Sequence, residues 1–130
     1  MAALIGDDEL VQMVELHLSC EHLPKMDTLS HTDAYIQVWE RFETTGGGAA
    51  AASFRSRGEW LQIGTTEVIW DTENPKFSTS IELAYHFEEQ QSLRFTVMDK
   101  DVASADDLIG EAKVRFYLFI SSYEYSYSYD

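Results

Sequence analysis

The chain has 130 residues and sets 9 Lys+Arg against 23 Asp+Glu, a formal net charge of −14, which is enough length for one domain and short for two. Hydrophobic residues at 45% and aromatics at 13% supply a packed core, so global disorder is excluded despite the acidity. The charge argues against a nucleic-acid partner and against a polybasic membrane anchor, since both need clustered Lys and Arg.

A single cysteine, Cys20, excludes an intrachain disulfide framework and a multi-cysteine zinc site. The N-terminal residues carry no basic region, and no stretch reaches the roughly 18 apolar residues of a membrane span. A soluble intracellular domain is the expectation.

From Val14 the pattern alternates, with Val14, Leu16, Leu18 and Cys20 on one face and Glu15, His17 and Ser19 on the other. This predicts a half-buried strand, ending at Pro24, which has no N–H for a ladder. Ala34 to Phe42 predicts a second strand, apolar on both faces and therefore central. The low-complexity run Gly46-Gly47-Gly48 and Ala49 to Ala52 places a flexible hairpin connection over 44–58. Trp60 to Ile69, rich in β-branched residues, predicts a third strand. Phe77, Thr79, Ile81, Leu83 and Tyr85 alternate with Ser78, Ser80, Glu82 and Ala84 for a fourth, although Ile81 to Gln91 also fits a helical turn. Leu93, Phe95 and Val97 predict a fifth, and Gly110, Ala112, Val114 and Phe116 a sixth. Several short alternating strands in a chain of this length predict an all-β fold, an antiparallel β-sandwich. The closing stretch, with Tyr123, Tyr125, Tyr127 and Tyr129 at every second position, fits a final strand, a tail or the cut end of a longer chain.

The chemistry concentrates in two loops, Leu23–Tyr35 and Val97–Gly110. Both are rich in acids, with Lys25 and Lys100 as their cations. Crowded carboxylates repel and are expected to raise one another's pKa. A hard divalent cation removes that penalty, and calcium accepts six to eight oxygens in flexible geometry. Asp99 and Asp101 at i, i+2 point the same way at a strand end, with Asp107 returning across the loop and Ser104 adding an oxygen. A solvated acidic surface uses the same residues. An EF-hand does not fit: counting from Asp99, the sixth position is Ser104 instead of Gly and the twelfth is Gly110 instead of Glu.

Three motifs in order, Leu-Pro-Lys-Met-Asp-x5-Asp-Ala-Tyr at 23–35, Asp-Thr-Glu-Asn-Pro-Lys-Phe at 71–77 and Asp-Lys-Asp-x5-Asp-Leu-Ile-Gly at 99–110, resemble the C2 domain signature. The segments Trp60-Leu-Gln-Ile-Gly-Thr-Thr-Glu-Val-Ile and Tyr85-His-Phe-Glu-Glu-Gln-Gln-Ser-Leu-Arg-Phe are most similar to the first C2 domain of copines. The resemblance implies an eight-stranded Greek-key β-sandwich over residues 11–120, with 1–10 an N-terminal extension and 121–130 a tail or last strand. It implies calcium as the cofactor, with Asp27, Asp33, Asp99, Asp101 and Asp107 as ligands and Ser104 as an auxiliary one. Ala34 departs from the family, which usually has Pro there, but no ligand position is lost. The implied partner is an anionic phospholipid membrane, reached from the cytoplasm when calcium rises. The plasma membrane is the expected target, and Leu29, Val102 and Ala103 are expected at the membrane. Arg55 and Arg57 are a secondary candidate for head-group contact. No catalysis is implied. The alternative is a calcium-independent module binding protein partners, or the regulatory domain of a larger enzyme.

Other constellations carry less. Ser30, His31 and Asp33 have the residue types of a catalytic triad but share one loop without the strand–helix elbow of such a nucleophile. His17, His22 and His86 have no ligand-spaced partners. Trp39, Trp60 and Trp70 read as sandwich core or rim.

Overall fold

The computed structural model describes residues 2–5, 9–25, 30–43, 58–86 and 89–116, with side chains from residue 11 to residue 115. Within them lie seven strands: β1 (Ala2–Ile5), β2 (Glu9–Leu16), β3 (Ala34–Phe42), β4 (Leu61–Thr65), β5 (Ile81–His86), β6 (Gln91–Asp99) and β7 (Asp107–Phe116). They form two antiparallel sheets, ordered β1-β2-β5 and β4-β3-β6-β7. The expected sandwich is therefore present. The flexible connection and the tyrosine-rich end fall, apart from Gly58, outside the described residues.

β3 has the predicted bounds and is central, hydrogen-bonded to β4 on one side and β6 on the other. Its even positions, Ala34, Ile36, Val38, Glu40 and Phe42, are buried, and its odd positions are half-exposed. Register carries this alternation across the sheet. Ile36 faces Val97 and Val38 faces Phe95, which in turn faces Ala112. Ala34, Ile36, Val38, Phe77 and Ile81 form the core, joined by Leu16, Leu18, Cys20, Phe95 and Ile109 from both sheets. Val38 and Leu93, 0% and 1% exposed, each have an aliphatic side chain almost wholly removed from water, worth about 1.5–3 kcal/mol.

The two sheets approach closely at Gly64 of β4, where a Cβ would come within 2.9 Å of Ile81 Cδ1 and 3.1 Å of Ile81 Cγ2. A Cβ there would push against the Ile81 side chain, which would have to move to admit it, so glycine allows the close approach of the two sheets. Beside it the β3–β4 register slips between Val38 and Trp39.

Several expected bounds shift. Residues 1–10, read as an extension, contain β1 and the start of β2, paired from Ala2–Gln12 to Ile5–Glu9. Backbone pairing needs no alternating side-chain pattern, so no such pattern marked it. The third predicted strand is cut to Leu61–Thr65, and Ile69 rejoins the sheet alone through reciprocal bonds with Ala34, at 3.2 and 2.9 Å. Phe77 is buried but precedes the fourth strand, which runs Ile81–His86 as strand and not as a helical turn.

Of the core or rim places expected for the tryptophans, Trp39 and Trp60 take the outer face of the larger sheet and neither is in the buried core. Trp39 faces Arg94 across β3 and β6, Arg94 faces Lys113, and Ser92 faces both Arg41 and Arg115. The Arg41 guanidinium lies 4.5 Å from the Trp60 ring centre, and that of Arg94 lies 4.9 Å from Trp60 and 5.0 Å from Trp39. The Trp39 indole N–H donates to Thr96 Oγ1 at 3.0 Å. Trp70, 56% exposed, stands apart.

Candidate functional site

The acidic loops meet at one end of the sandwich because of strand register. Ala34 pairs with Asp99, so Asp33 precedes the first paired residue of β3 beside the last residue of β6. Asp99 pairs in turn with Asp107, the first residue of β7. Three strand ends thus bring Asp33, Asp99 and Asp107 together from separate parts of the chain.

Hydrogen bonds fix that junction. The Asp33 N–H donates to Asp99 Oδ1 at 3.0 Å, and Asp33 Oδ1 accepts the Asp71 N–H at 2.7 Å. The Asp33 carbonyl accepts the Lys100 N–H at 2.8 Å. Asp71 has φ 66°, a left-handed conformation that Asp tolerates better than most residues.

Asp101 is arranged differently. Its Oδ1 accepts the N–H groups of Ala103 and Ser104, at 2.8 and 3.3 Å, and its Oδ2 accepts the Ser104 hydroxyl at 2.7 Å. The loop therefore closes on its own carboxylate as an Asx-type turn, with Val102, Ala103 and Ser104 exposed at its tip. Asp106 Oδ1 accepts the Asp101 N–H at 2.9 Å, while its Oδ2 takes the Tyr35 hydroxyl and lies 3.7 Å from Lys100 Nζ.

These donors reverse one expectation. Crowding was expected to raise the carboxylate pKa values, yet Asp101 is held below the usual range by the Ala103 N–H and the Ser104 hydroxyl. Asp106 is lowered by the Tyr35 hydroxyl first and the Asp101 N–H second. Hydrogen bonds to the charged form outweigh repulsion between the neighbours. The other side of the Tyr35 contact is a phenol pushed up to about 12, by desolvation first and Asp106 second.

Of the predicted site residues, Asp33, Asp99 and Asp107 are brought together, and Asp101 and Ser104 share one turn beside them. Asp27 and Leu29 lie outside the described residues, as do Arg55 and Arg57. Among the described residues no three His, Cys, Asp or Glu side chains are grouped as a metal site. The donor chemistry nonetheless fits a hard cation such as calcium: the set is carboxylate, hydroxyl and carbonyl oxygen, and the described hydrogen bonds of Asp33 and Asp99 fall on one carboxylate oxygen of each.

Three contributors escaped sequence reasoning: Asp106, Asp71 and Glu73. Asp106 had a signal in the doubled acid Asp106-Asp107. Glu73 lies in the quoted Asp-Thr-Glu-Asn-Pro motif, but its partners, His31 and Thr32, are about forty residues away. Loop pairing of that kind has no sequence period.

Residues 12–130 match the profile of the C2 domain family. The chain belongs to the C2 domain family. Its relatives include copines of Dictyostelium discoideum at 32–36% identity. Copine-E is 35% identical over 108 residues, 83% of this chain and 17% of Copine-E. The chain thus spans about a sixth of the length of that relative. Among solved structures, the C2A domain of RIM from Drosophila superposes with a TM-score of 0.55 at 16% identity, covering 98% of this chain and 91% of that one. Human GIVD cytosolic phospholipase A2 gives a TM-score of 0.59 at 17% identity, covering 88% of this chain but 14% of the enzyme. Both show the fold. As a C2 domain the chain is a binding module, and no helix among the described residues is long and apolar enough to cross a membrane.

Proposed function

We propose that this C2 domain binds phospholipid membranes in a calcium-dependent way and has no catalysis of its own. The observation that carries the reading is the register that sets Asp33, Asp99 and Asp107 side by side at three strand ends. Asp27, Asp33, Asp99, Asp101 and Asp107 would hold the metal, with Ser104 contributing an oxygen. Bound calcium would supply positive charge where the apo loops are predominantly acidic, and open coordination positions for a phosphate or carboxylate oxygen of a head group.

The chain's own groups do the rest. The N–H groups of Asp33 and Asp71 aim the Asp99 and Asp33 carboxylates. The Asp101 turn holds Val102 and Ala103 outward, Val102 being 87% exposed, where with Leu29 they would enter the interfacial region. The apolar area is small, so affinity depends mainly on the metal. Arg55 and Arg57 would add little. Residues 11–120, together with β1 and the start of β2 that pair onto them, are the proposed extent of the binding domain. The setting is cytoplasmic, with recruitment to membranes, the plasma membrane foremost, as calcium rises.

The test is sedimentation with anionic liposomes in calcium and in chelator. Co-sedimentation only in calcium is expected. Equal sedimentation in both, or none in either, sinks the reading.

A further inference from the structure

The loop that carries Asp33 is held by a residue that is not a ligand candidate. Its two arms, the segments ending at Lys25 and starting at Ser30, are both tied to the stretch Asp71–Pro75. On the first arm, Cys20 N–H donates to the Pro75 carbonyl at 2.9 Å, Leu23 N–H to the Glu73 carbonyl at 3.0 Å, and His22 N–H to Asn74 Oδ1 at 2.9 Å. On the second arm, Thr32 N–H donates to Glu73 Oε2 at 3.0 Å, and His31 Nδ1 lies 3.1 Å from each Glu73 carboxylate oxygen. Thr32, 1% exposed, closes the ring: its hydroxyl donates to the Pro24 carbonyl and its carbonyl accepts the Thr72 N–H, both at 2.9 Å.

Glu73 therefore grips the residue immediately before Asp33 through its side chain and the opposite arm through its backbone. Its side chain is 20% exposed and that of His31 50%, so the Thr32 bond is partly shielded from water while the His31 contact stays open to it. The next backbone N–H after Thr32 is the one that donates to Asp99. Loss of the Glu73 contact leaves Thr32 held by its hydroxyl and carbonyl alone, loosening the N–H side of the backbone that aims Asp99.

We propose that Glu73 is a positioning residue for the calcium site: it sets metal affinity by fixing the Thr32–Asp33 backbone, without ligating the metal. This rests on the calcium reading above. A carboxylate suits the task because it accepts from the Thr32 N–H and the His31 ring at once. Pre-organisation of this kind acts through the cost of ordering the loop, so its loss weakens binding without deleting a ligand.

The experiment titrates calcium alone by calorimetry into the chain and into Glu73→Ala, Glu73→Gln and the double variant Asp99→Asn with Asp101→Asn. Thr32 amide exchange is followed in the apo proteins. We expect Glu73→Ala to weaken calcium binding about tenfold and to speed Thr32 exchange, with apo melting little changed. Glu73→Gln keeps an acceptor for the Thr32 N–H and should restore affinity to within about threefold. Wild-type calcium affinity in Glu73→Ala overturns the proposal, as does a Gln variant no better than Ala. Should Glu73→Ala fail to fold, Glu73→Gln with wild-type affinity and slow Thr32 exchange supports the grip, whereas tenfold weakening in that variant with exchange unchanged overturns it. Calcium binding retained by the double Asn variant is a separate outcome that removes the site itself.

Discussion

At the loop end, carboxylates are held in place by N–H and hydroxyl donors; on the outer face of the larger sheet, guanidinium groups are held against indole rings. Both regions gather like charges, the carboxylates of Asp33, Asp71, Asp99, Asp101, Asp106 and Asp107 at one and Arg41, Arg94, Lys113 and Arg115 at the other, in a chain of net charge −14. They answer repulsion differently. Arg41 and Arg94 share the Trp60 ring at 4.5 and 4.9 Å, while Arg41 also lies 3.6 Å from Glu43 and Lys113 lies 3.4 Å from Glu111. The acidic end has one cation near Asp106, Lys100, and otherwise uses dipoles from its own backbone. A cation stacked on an aromatic has part of its charge offset by the ring's own electrons. A carboxylate held by a few N–H donors keeps lone pairs for a further ligand. One region stabilises the fold; the other keeps carboxylate lone pairs that the described residues do not themselves use.

The largest effect should come from the acidic end. Asp99→Asn with Asp101→Asn is expected to abolish calcium-dependent liposome sedimentation and to lower apo stability slightly at neutral pH, since the Ala103 and Ser104 donors lose the Asp101 charge they hold. Retained calcium-dependent binding would place the metal elsewhere and break the contrast.

Trp60→Ala tests the other region. It removes both guanidinium stacks on that ring and should cost about 1–2 kcal/mol in urea unfolding, with the calcium midpoint of liposome binding moved less than twofold. A large shift in that midpoint would show the two regions to be coupled.

A smaller effect sharpens how backbone donors hold a carboxylate away from the acidic loops. Glu67 accepts the Ser78 N–H at 2.6 Å and the Thr79 N–H at 3.1 Å. Its pKa falls from 4.5 to about 2, chiefly through the Ser78 N–H. A depressed folded-state value contributes stability above pH 4.5, and that contribution is lost as the pH falls through 4.5 towards 2. Glu67→Gln should therefore lower stability by about 1 kcal/mol at pH 7, discounted for solvent exposure. The deficit should shrink on acid titration and vanish near pH 2. A deficit that does not change with pH would assign the loss to packing.

The smallest effects concern the membrane contact. Val102→Asp or Leu29→Asp should weaken liposome partitioning severalfold with calcium uptake intact, and Arg55→Ala with Arg57→Ala should change it little. If the arginine pair loses binding while the tip variants keep it, the domain meets the membrane through the hairpin connection.

Local alternation along the chain was enough to specify the architecture class and most of the core. Alternation is a local property: β3 was legible to the residue, and the inward faces of β6 and β7 were read correctly from Leu93, Phe95, Val97, Ala112 and Val114. The family was legible as well, because ordered spacing of aspartates around loops survives in one dimension. Only the tertiary structure decided which charges share space. Register set Asp33 beside Asp99 and Asp107, and collected Arg41, Arg94, Lys113 and Arg115 from three strands, although Arg55 and Arg57 were the basic pair visible along the chain. Hydrogen-bond geometry decided that Asp101 and Asp106 titrate low instead of high, because a few well-aimed donors at 2.7–2.9 Å outweigh neighbouring charge. Glu73 was illegible for the same reason: its partners lie 41 and 42 residues away, and nothing local to a carboxylate tells it which backbone N–H will arrive across a loop.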